Sequence, residues 1–246
     1  MTLSGKRVLI TGGGTGVGAA LARGFAQAGA DVVVAGRREE PLAKVAAEAK
    51  TIRPVVADVR DEASVRAMFE TAGPCDVVIA NAGAASSSPF AETSLDAFQA
   101  MMAVNLTGTF LTFREGLARM PGWGRLIAVA STAGLKGYRY VAPYAAAKHG
   151  VVGLVRSLAL EVARRPVTVN ALCPGFLDTE MTDRSVATIR ENTGMSEDDA
   201  RKALAANNPQ RRLIQPSEVT AAALWLCGAG SDGVNGHALS ISGGEV

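Results

Sequence analysis

The chain has 246 residues, a formal net charge of +2, and a composition that is 48% hydrophobic and 20% charged. At about 100–200 residues per domain this bounds the answer to one large domain or two small ones, and the apolar content excludes a disordered chain. The charge is too balanced for an electrostatic nucleic-acid binder, and no apolar run approaches the roughly 18–20 residues of a membrane span.

The N-terminus runs straight into Lys6-Arg7-Val8-Leu9-Ile10 without a signal-peptide pattern, which predicts a cytoplasmic protein. Cys75, Cys173 and Cys227 are scattered, with no CxxC spacing and no histidine near them. They read as buried thiols in a reducing compartment, and no metal site is expected.

Short apolar, β-branched runs recur along the chain at Val8–Ile10, Val32–Ala35, Val55–Ala57, Val77–Ala80, Leu126–Ala130, Val167–Leu172 and Ala238–Ile241. Their continuous character predicts strands buried on both faces. The stretches between them read as amphipathic helices, at 17–28, 39–50 and most strongly 142–164, where Val151, Val152, Leu154, Val155, Leu158 and Val162 recur at helical spacing. Strand–helix alternation implies parallel pairing through right-handed crossovers. The expectation is a single doubly wound Rossmann-type α/β domain over 1–246, with a seven-stranded parallel sheet covered by helices on both faces. Residues 178–212 are polar and rich in turn formers, and they interrupt the rhythm as a candidate substrate lid.

In open parallel sheets, ligands bind beyond the carboxyl ends of the strands. The first strand runs into Thr11-Gly12-Gly13-Gly14-Thr15-Gly16-Val17-Gly18, which opens a helix. Glycines there let a pyrophosphate approach the free N–H groups of the helix start, which predicts dinucleotide binding. The second strand ends Gly36-Arg37-Arg38, where an acidic residue would be needed for the ribose 2′-hydroxyl of NAD. Two guanidinium groups match a 2′-phosphate instead, which favours NADP(H) and leaves NAD(H) possible. The same pair also reads as two solvated arginines at a helix start. Asp58-Val59 and Asn81-Ala82-Gly83 end the third and fourth strands and are candidates for adenine and ribose contacts, or plain turn and cap residues.

The fifth strand runs into Ser131, and Tyr144 follows with Lys148 four residues on, a spacing that puts both on one helical face. An ammonium beside a phenol favours the phenolate, so Tyr144 is predicted to be unusually acidic and to act as a general acid/base. Tyr138 and Tyr140 lack a lysine four residues on.

Together these motifs, with Asn105 in Val104-Asn105-Leu106-Thr107-Gly108 and Pro174-Gly175 ahead of Thr179, make the chain resemble the short-chain dehydrogenase/reductase family in its compact single-domain branch, over essentially its whole length. The resemblance implies that Ser131 hydrogen-bonds the substrate oxygen, Tyr144 transfers its proton, and Lys148 holds the nicotinamide ribose and tunes Tyr144. It also implies that Asn105 anchors a relay water in a helix distortion and that Thr179 contacts the nicotinamide carboxamide. The segments around Ser131, Tyr144 and Pro174 are most similar to 3-oxoacyl-thioester reductases and aromatic polyketide ketoreductases.

Two departures from the family pattern stand out. Ala80 replaces a usual asparagine, and residues 61–74 are short, which trims a helix expected to be peripheral. The resemblance further implies a homotetramer, through the helices around 98–119 and 142–164, where Phe110, Leu111, Phe113, Leu117, Val151 and Val155 supply apolar surface. His149 and His237 read as packing or interface residues. Within 178–202 there are four basic and seven acidic residues, which is no docking patch for an acidic carrier, although Arg211 and Arg212 remain available. An NAD(H)-dependent dehydrogenase of a small hydroxy acid, cyclic alcohol or aryl or steroid-like ketone is the alternative. A silent dinucleotide-binding regulator is the alternative of another class.

Overall fold

The computed structural model describes residues 2–246. Seven parallel strands form one sheet in the order β3-β2-β1-β4-β5-β6-β7. They are β1 (Arg7–Thr11), β2 (Asp31–Gly36), β3 (Ile52–Val56), β4 (Val77–Ala80), β5 (Gly124–Val129), β6 (Val167–Pro174) and β7 (Ala238–Ile241). The helices are α1 (Gly16–Gln27), α2 (Glu39–Ala46), α3 (Glu62–Ala72), α4 (Leu95–Met102), α5 (Gly108–Ala118), α6 (Ala142–Val162), α7 (Glu180–Thr193), α8 (Glu197–Ala205) and α9 (Pro216–Leu226). The expected doubly wound fold is therefore present.

The sheet divides the core by simple alternation. Val8 and Ile10 of β1, with Val32 and Val34 of β2, pack beneath α1, α2 and α9. Leu9, Val33, Val78 and Leu126 face the other way, toward α3, α5 and α6. Burying each such large side chain stabilises the fold by about 1.5–3 kcal/mol. The strand order reverses direction between β1 and β4, so the loops leaving those strands diverge and open a crevice at their carboxyl ends.

Three elements correct the sequence reading. The third strand starts at Ile52, before the expected Val55, because it lies at the sheet edge and its burial alternates. An edge strand also tolerates Pro54. The fifth strand starts at Gly124 and includes Arg125, a fully buried side chain. That charge is accommodated because its guanidinium donates to the Leu226 and Gly124 carbonyls at 2.9 and 3.0 Å, pairs with Asp232, and stacks on Trp123. Finally, α3 is no peripheral helix, since its Val65, Met68 and Phe69 belong to the main core.

Residues 178–212 form the helical pair α7–α8 around a small core of Val186, Ala200 and Leu204. An isolated parallel bridge between Leu177 and Ile214 ties the two ends of this excursion together. Of the six apolar residues expected to supply an interface, Leu111, Phe113, Val151 and Val155 are buried within the chain itself. The apolar side chains left outside on these helices are Leu95, Phe98, Phe110 and Leu160. Among the described residues, no helix is long and apolar enough to cross a membrane. All three cysteines are buried thiols, as expected.

Candidate active site

The β1 turn is knotted to the end of β4. Thr11 Oγ1 accepts hydrogen bonds from the Asn81 and Ala82 N–H groups, each at 3.1 Å. Asn81 Nδ2 donates in return to the Thr11 and Gly12 carbonyls at 3.0 and 3.2 Å. Gly12 sits at φ +66°, and a Cβ there would lie 2.9 Å from Ala82 Cα. Only glycine suits both the left-handed backbone and this close approach.

Of the two readings of Asn81, ligand contact or turn residue, its amide nitrogen serves the second by positioning the turn. Thr11 was not singled out from the sequence. Its signal was a hydroxyl at the carboxyl end of a buried strand, meaningful only once β1 and β4 are known to be neighbours.

Beyond Gly12, the residues Gly14, Thr15, Gly16, Val17 and Gly18 lead into α1. Thr15, the residue before the helix, makes no side-chain cap, so the first N–H groups of α1 are left for another acceptor. The Thr179 methyl lies 3.6 Å from where a Gly16 Cβ would be, which brings the start of α7 over this turn. Pro174 ends β6 and Gly175 follows it.

Arg37 and Arg38 are exposed at the end of β2. Arg37 lies near enough to Asp58 to help hold its carboxyl below the ordinary range, and Arg38 does the same to Glu40, but the ion pairs of those carboxylates are made by Arg60 and Lys44. Among the described residues neither guanidinium has an ion-pair partner, which leaves both for a phosphate. The Asp58 carboxylate is held below its ordinary range chiefly by the Arg60 guanidinium, which engages both of its oxygens. It is less available than the sequence implied. Val59 packs on Gly108 rather than standing free, since a Cβ on Gly108 would come within 2.7 Å of it. The uncapped helix start, the glycine cradle and the paired arginines together suit a dinucleotide phosphate.

The reacting groups gather at the carboxyl ends of β4 and β5. Ser131 follows β5, and its Oγ accepts from the Ala133 N–H at 3.1 Å, capping a single 3-10 turn. Tyr144 and Lys148 lie one turn apart on α6, whose first turn carries Pro143. The Tyr144 phenol is pushed up chiefly by burial, with the neighbouring Ser131 hydroxyl acting in the opposite direction and Cys173 adding weakly to the rise.

This corrects the expectation of an unusually acidic Tyr144. In the chain alone burial dominates, and Lys148 is turned elsewhere. Lys148 is buried, its Nζ donates to the Val129 carbonyl at 2.9 Å, and that nitrogen stands 5.6 Å from the Tyr144 ring centre. Burial brings its ammonium down to about 8.

Between α4 and α5 the helix opens into a π turn over Ala103–Thr107, with Asn105 fully buried inside it. The expected helix distortion is therefore present. Gly83 lies between two of the predicted residues: a Cβ there would be 2.7 Å from Asn105 Oδ1 and 3.7 Å from Lys148 Nζ. Ser131, Tyr144, Lys148 and Asn105 are thus brought together beside the crevice that the glycine turn enters. His149 is exposed, with Nδ1 2.9 Å from the Ala145 carbonyl, and the His237 N–H donates to Asn170.

Residues 6–190 match the family model described as short chain dehydrogenase. The chain belongs to the short-chain dehydrogenase family. It is an oxidoreductase of that family.

A crystal structure of a variant of actinorhodin polyketide ketoreductase with NADPH is 35% identical and superposes with a TM-score of 0.90, over 100% of this chain and 99% of the other. The D-beta-hydroxybutyrate dehydrogenase of Cupriavidus necator is 33% identical over 99% of both chains. The 3-oxoacyl-(acyl-carrier-protein) reductase FabG of Rickettsia conorii is 30% identical over 99% of this chain and 98% of its own.

Proposed function

We propose that this short-chain dehydrogenase reduces the ketone of a 3-oxoacyl thioester with NADPH, and runs the reverse oxidation of the secondary alcohol with the same residues. The observation that carries the reading is the convergence of Ser131 at the end of β5 with Tyr144 and Lys148 one turn apart on α6, the Lys148 Nζ 5.6 Å from the Tyr144 ring centre. Bound NADPH supplies the hydride.

The chain's own groups manage the oxygen. Ser131 donates a hydrogen bond to the substrate carbonyl, and Tyr144 delivers its phenolic proton as negative charge develops there. Lys148, one turn along α6 with its ammonium on the Val129 carbonyl, holds the nicotinamide ribose of the bound cofactor. Asn105 holds the π turn open beside Lys148, in the position that the family uses to anchor a relay water. Pro174, Gly175 and Thr179 line the nicotinamide side, and Asp58 and Val59 the adenine side.

The preference for NADP(H) over NAD(H) is supported by Gly36 in place of an acid and by the unpaired guanidinium groups of Arg37 and Arg38. The α7–α8 pair serves as the substrate lid. Leu95, Phe98, Phe110 and Leu160, exposed on α4, α5 and α6, support association into a homotetramer.

One observation favours a second reading, an uncharged small or cyclic ketone. Arg201 is spent on Asp178 and Asp183, and Arg212 on Glu218, so neither is free to receive an acidic carrier. The test is NADPH consumption with acetoacetyl-coenzyme A, its carrier-protein analogue, and a panel of cyclic and aryl ketones. Turnover confined to the cyclic panel would replace the thioester assignment. No turnover with any member would leave the silent regulator.

A further inference from the structure

One buried carboxylate stands outside the machinery described so far. Glu245 follows two glycines beyond β7, and its side chain is only 2% exposed. Its Oε1 accepts from the Tyr138 hydroxyl at 2.5 Å and pairs with Lys136 Nζ at 2.9 Å. Lys136 Nζ in turn lies 5.0 Å from the centre of the Tyr138 ring. The other oxygen, Oε2, is buried without a hydrogen-bond partner among the described residues, 3.1 Å from where a Gly175 Cβ would be. A half-satisfied carboxylate weakens a fold, so stability alone does not account for it.

Tyr138 is surrounded by the site. Its hydroxyl lies 2.6 Å from Thr132 Oγ1, next to Ser131. Because the phenol donates to Glu245, it accepts from Thr132. Its ring meets Phe176 edge-on at 6.2 Å, just beyond Gly175.

The segment carrying Glu245 also reaches the base of α7–α8. Gly243 packs so tightly on Asn208 that a Cβ would fall 2.0 Å from its Oδ1, and Asn208 is bonded to the Arg212 carbonyl. Residues 242–245 therefore touch both walls of the cleft. From the far side, the Tyr140 carbonyl accepts the Ser88 N–H at 2.8 Å while Tyr140 itself holds φ +67°. A non-glycine residue keeps such a backbone only where its surroundings fix it.

The geometry points to Glu245 as a positioning residue that sets the Tyr138 wall of the substrate cleft. The assignment rests on the catalytic reading above and deepens it: Glu245 acts on how the ketone is seated, through Tyr138, and does not touch the reacting atoms.

The test uses the whole chain with Glu245→Gln, Glu245→Asp and Tyr138→Phe, with acetoacetyl-coenzyme A and the bicyclic ketone decalone as probes. Glu245→Gln should raise the ketone KM about tenfold while the NADPH KM and kcat stay within about twofold, the signature of lost ground-state binding. Tyr138→Phe should reproduce it, the double variant should add nothing, and Glu245→Asp should recover part of the loss. Fluorine NMR of protein carrying fluorotyrosine gives a readout independent of turnover, because the chain has three tyrosines. The Tyr138 resonance should move in Glu245→Gln. An unmoved Tyr138 resonance overturns the proposal, as does a moved resonance or lowered Tm with an unchanged ketone KM. Absence of turnover by the unmodified chain would defeat the functional reading, and the fluorine spectrum would still decide whether Glu245 places Tyr138.

Discussion

Asn105 and Ala84 hold each other twice. Asn105 Nδ2 donates to the Ala84 carbonyl at 2.9 Å, and Asn105 Oδ1 accepts the Ala84 N–H at 3.3 Å. This amide-to-backbone clasp fixes the loop after β4 against the π turn. Asn105→Ala leaves a half-buried N–H and C=O of Ala84 unmatched, so a loss of about 1 kcal/mol is expected in chemical denaturation. Asn105→Asp, which lacks the donor, should fall as far or further. A stability equal to that of the unmodified chain would show that the clasp is dispensable.

Tyr144→Phe removes the transferable proton and keeps the ring. It should lower kcat by about 10²- to 10⁴-fold, with NADPH affinity by fluorescence titration nearly unchanged. A variant that retained most of its turnover would remove Tyr144 from proton transfer.

Lys148 gives the pH dependence its sign. Its ammonium is depressed by burial to about 8, so the charge is present below that pH and lost as pH rises through it. A dinucleotide held by the charged form binds proton and ligand together, so NADPH affinity should decline above pH 8, by at most about tenfold per pH unit. An NADPH Kd that stays flat across this range would separate Lys148 from the cofactor.

Gly12→Ala is expected to disturb cofactor binding before chemistry. The added carbon would press on Ala82 Cα at 2.9 Å and strain a backbone at φ +66°. A loss of about 1–3 kcal/mol in stability is expected, of the size found for strain at a special backbone conformation, together with a weakened NADPH titration. Unchanged values in both would mean that the turn has more slack than its contacts show.

Arg37→Ala should narrow the preference for NADPH over NADH, and Arg38→Ala should do the same to a degree that ranks the two side chains. Loss of one charge-assisted contact is worth about 1.5–3 kcal/mol, readable as a change in the ratio of kcat/KM values. An unchanged ratio in both variants would return these arginines to the solvated surface.

What the sequence made legible was whatever is local. β4 and β7 fall on the expected residues because an apolar run and its boundaries are read in one place. Tyr144 and Lys148 were visible because four residues make one helical turn. The rest depends on neighbours that only the sheet order supplies. Thr11 and Asn81 meet because β1 lies beside β4. Glu245 and Tyr138 are 107 residues apart and joined by a single hydrogen bond. The Tyr144 phenol was misjudged because spacing along a helix places a charge nearby without saying how dry the surroundings are, or that Lys148 would turn to the Val129 carbonyl.

The outer border of the sheet has a further effect. Thr51 accepts from the Val32 N–H and Ala57 donates to Gly36, so alternation along β3 turns the nitrogen of Pro54 outward. That position has no hydrogen to offer. A stray extended segment arriving there finds a gap in the ladder, which together with the charge of Arg53 beside it disfavours fibril-like growth from this flank.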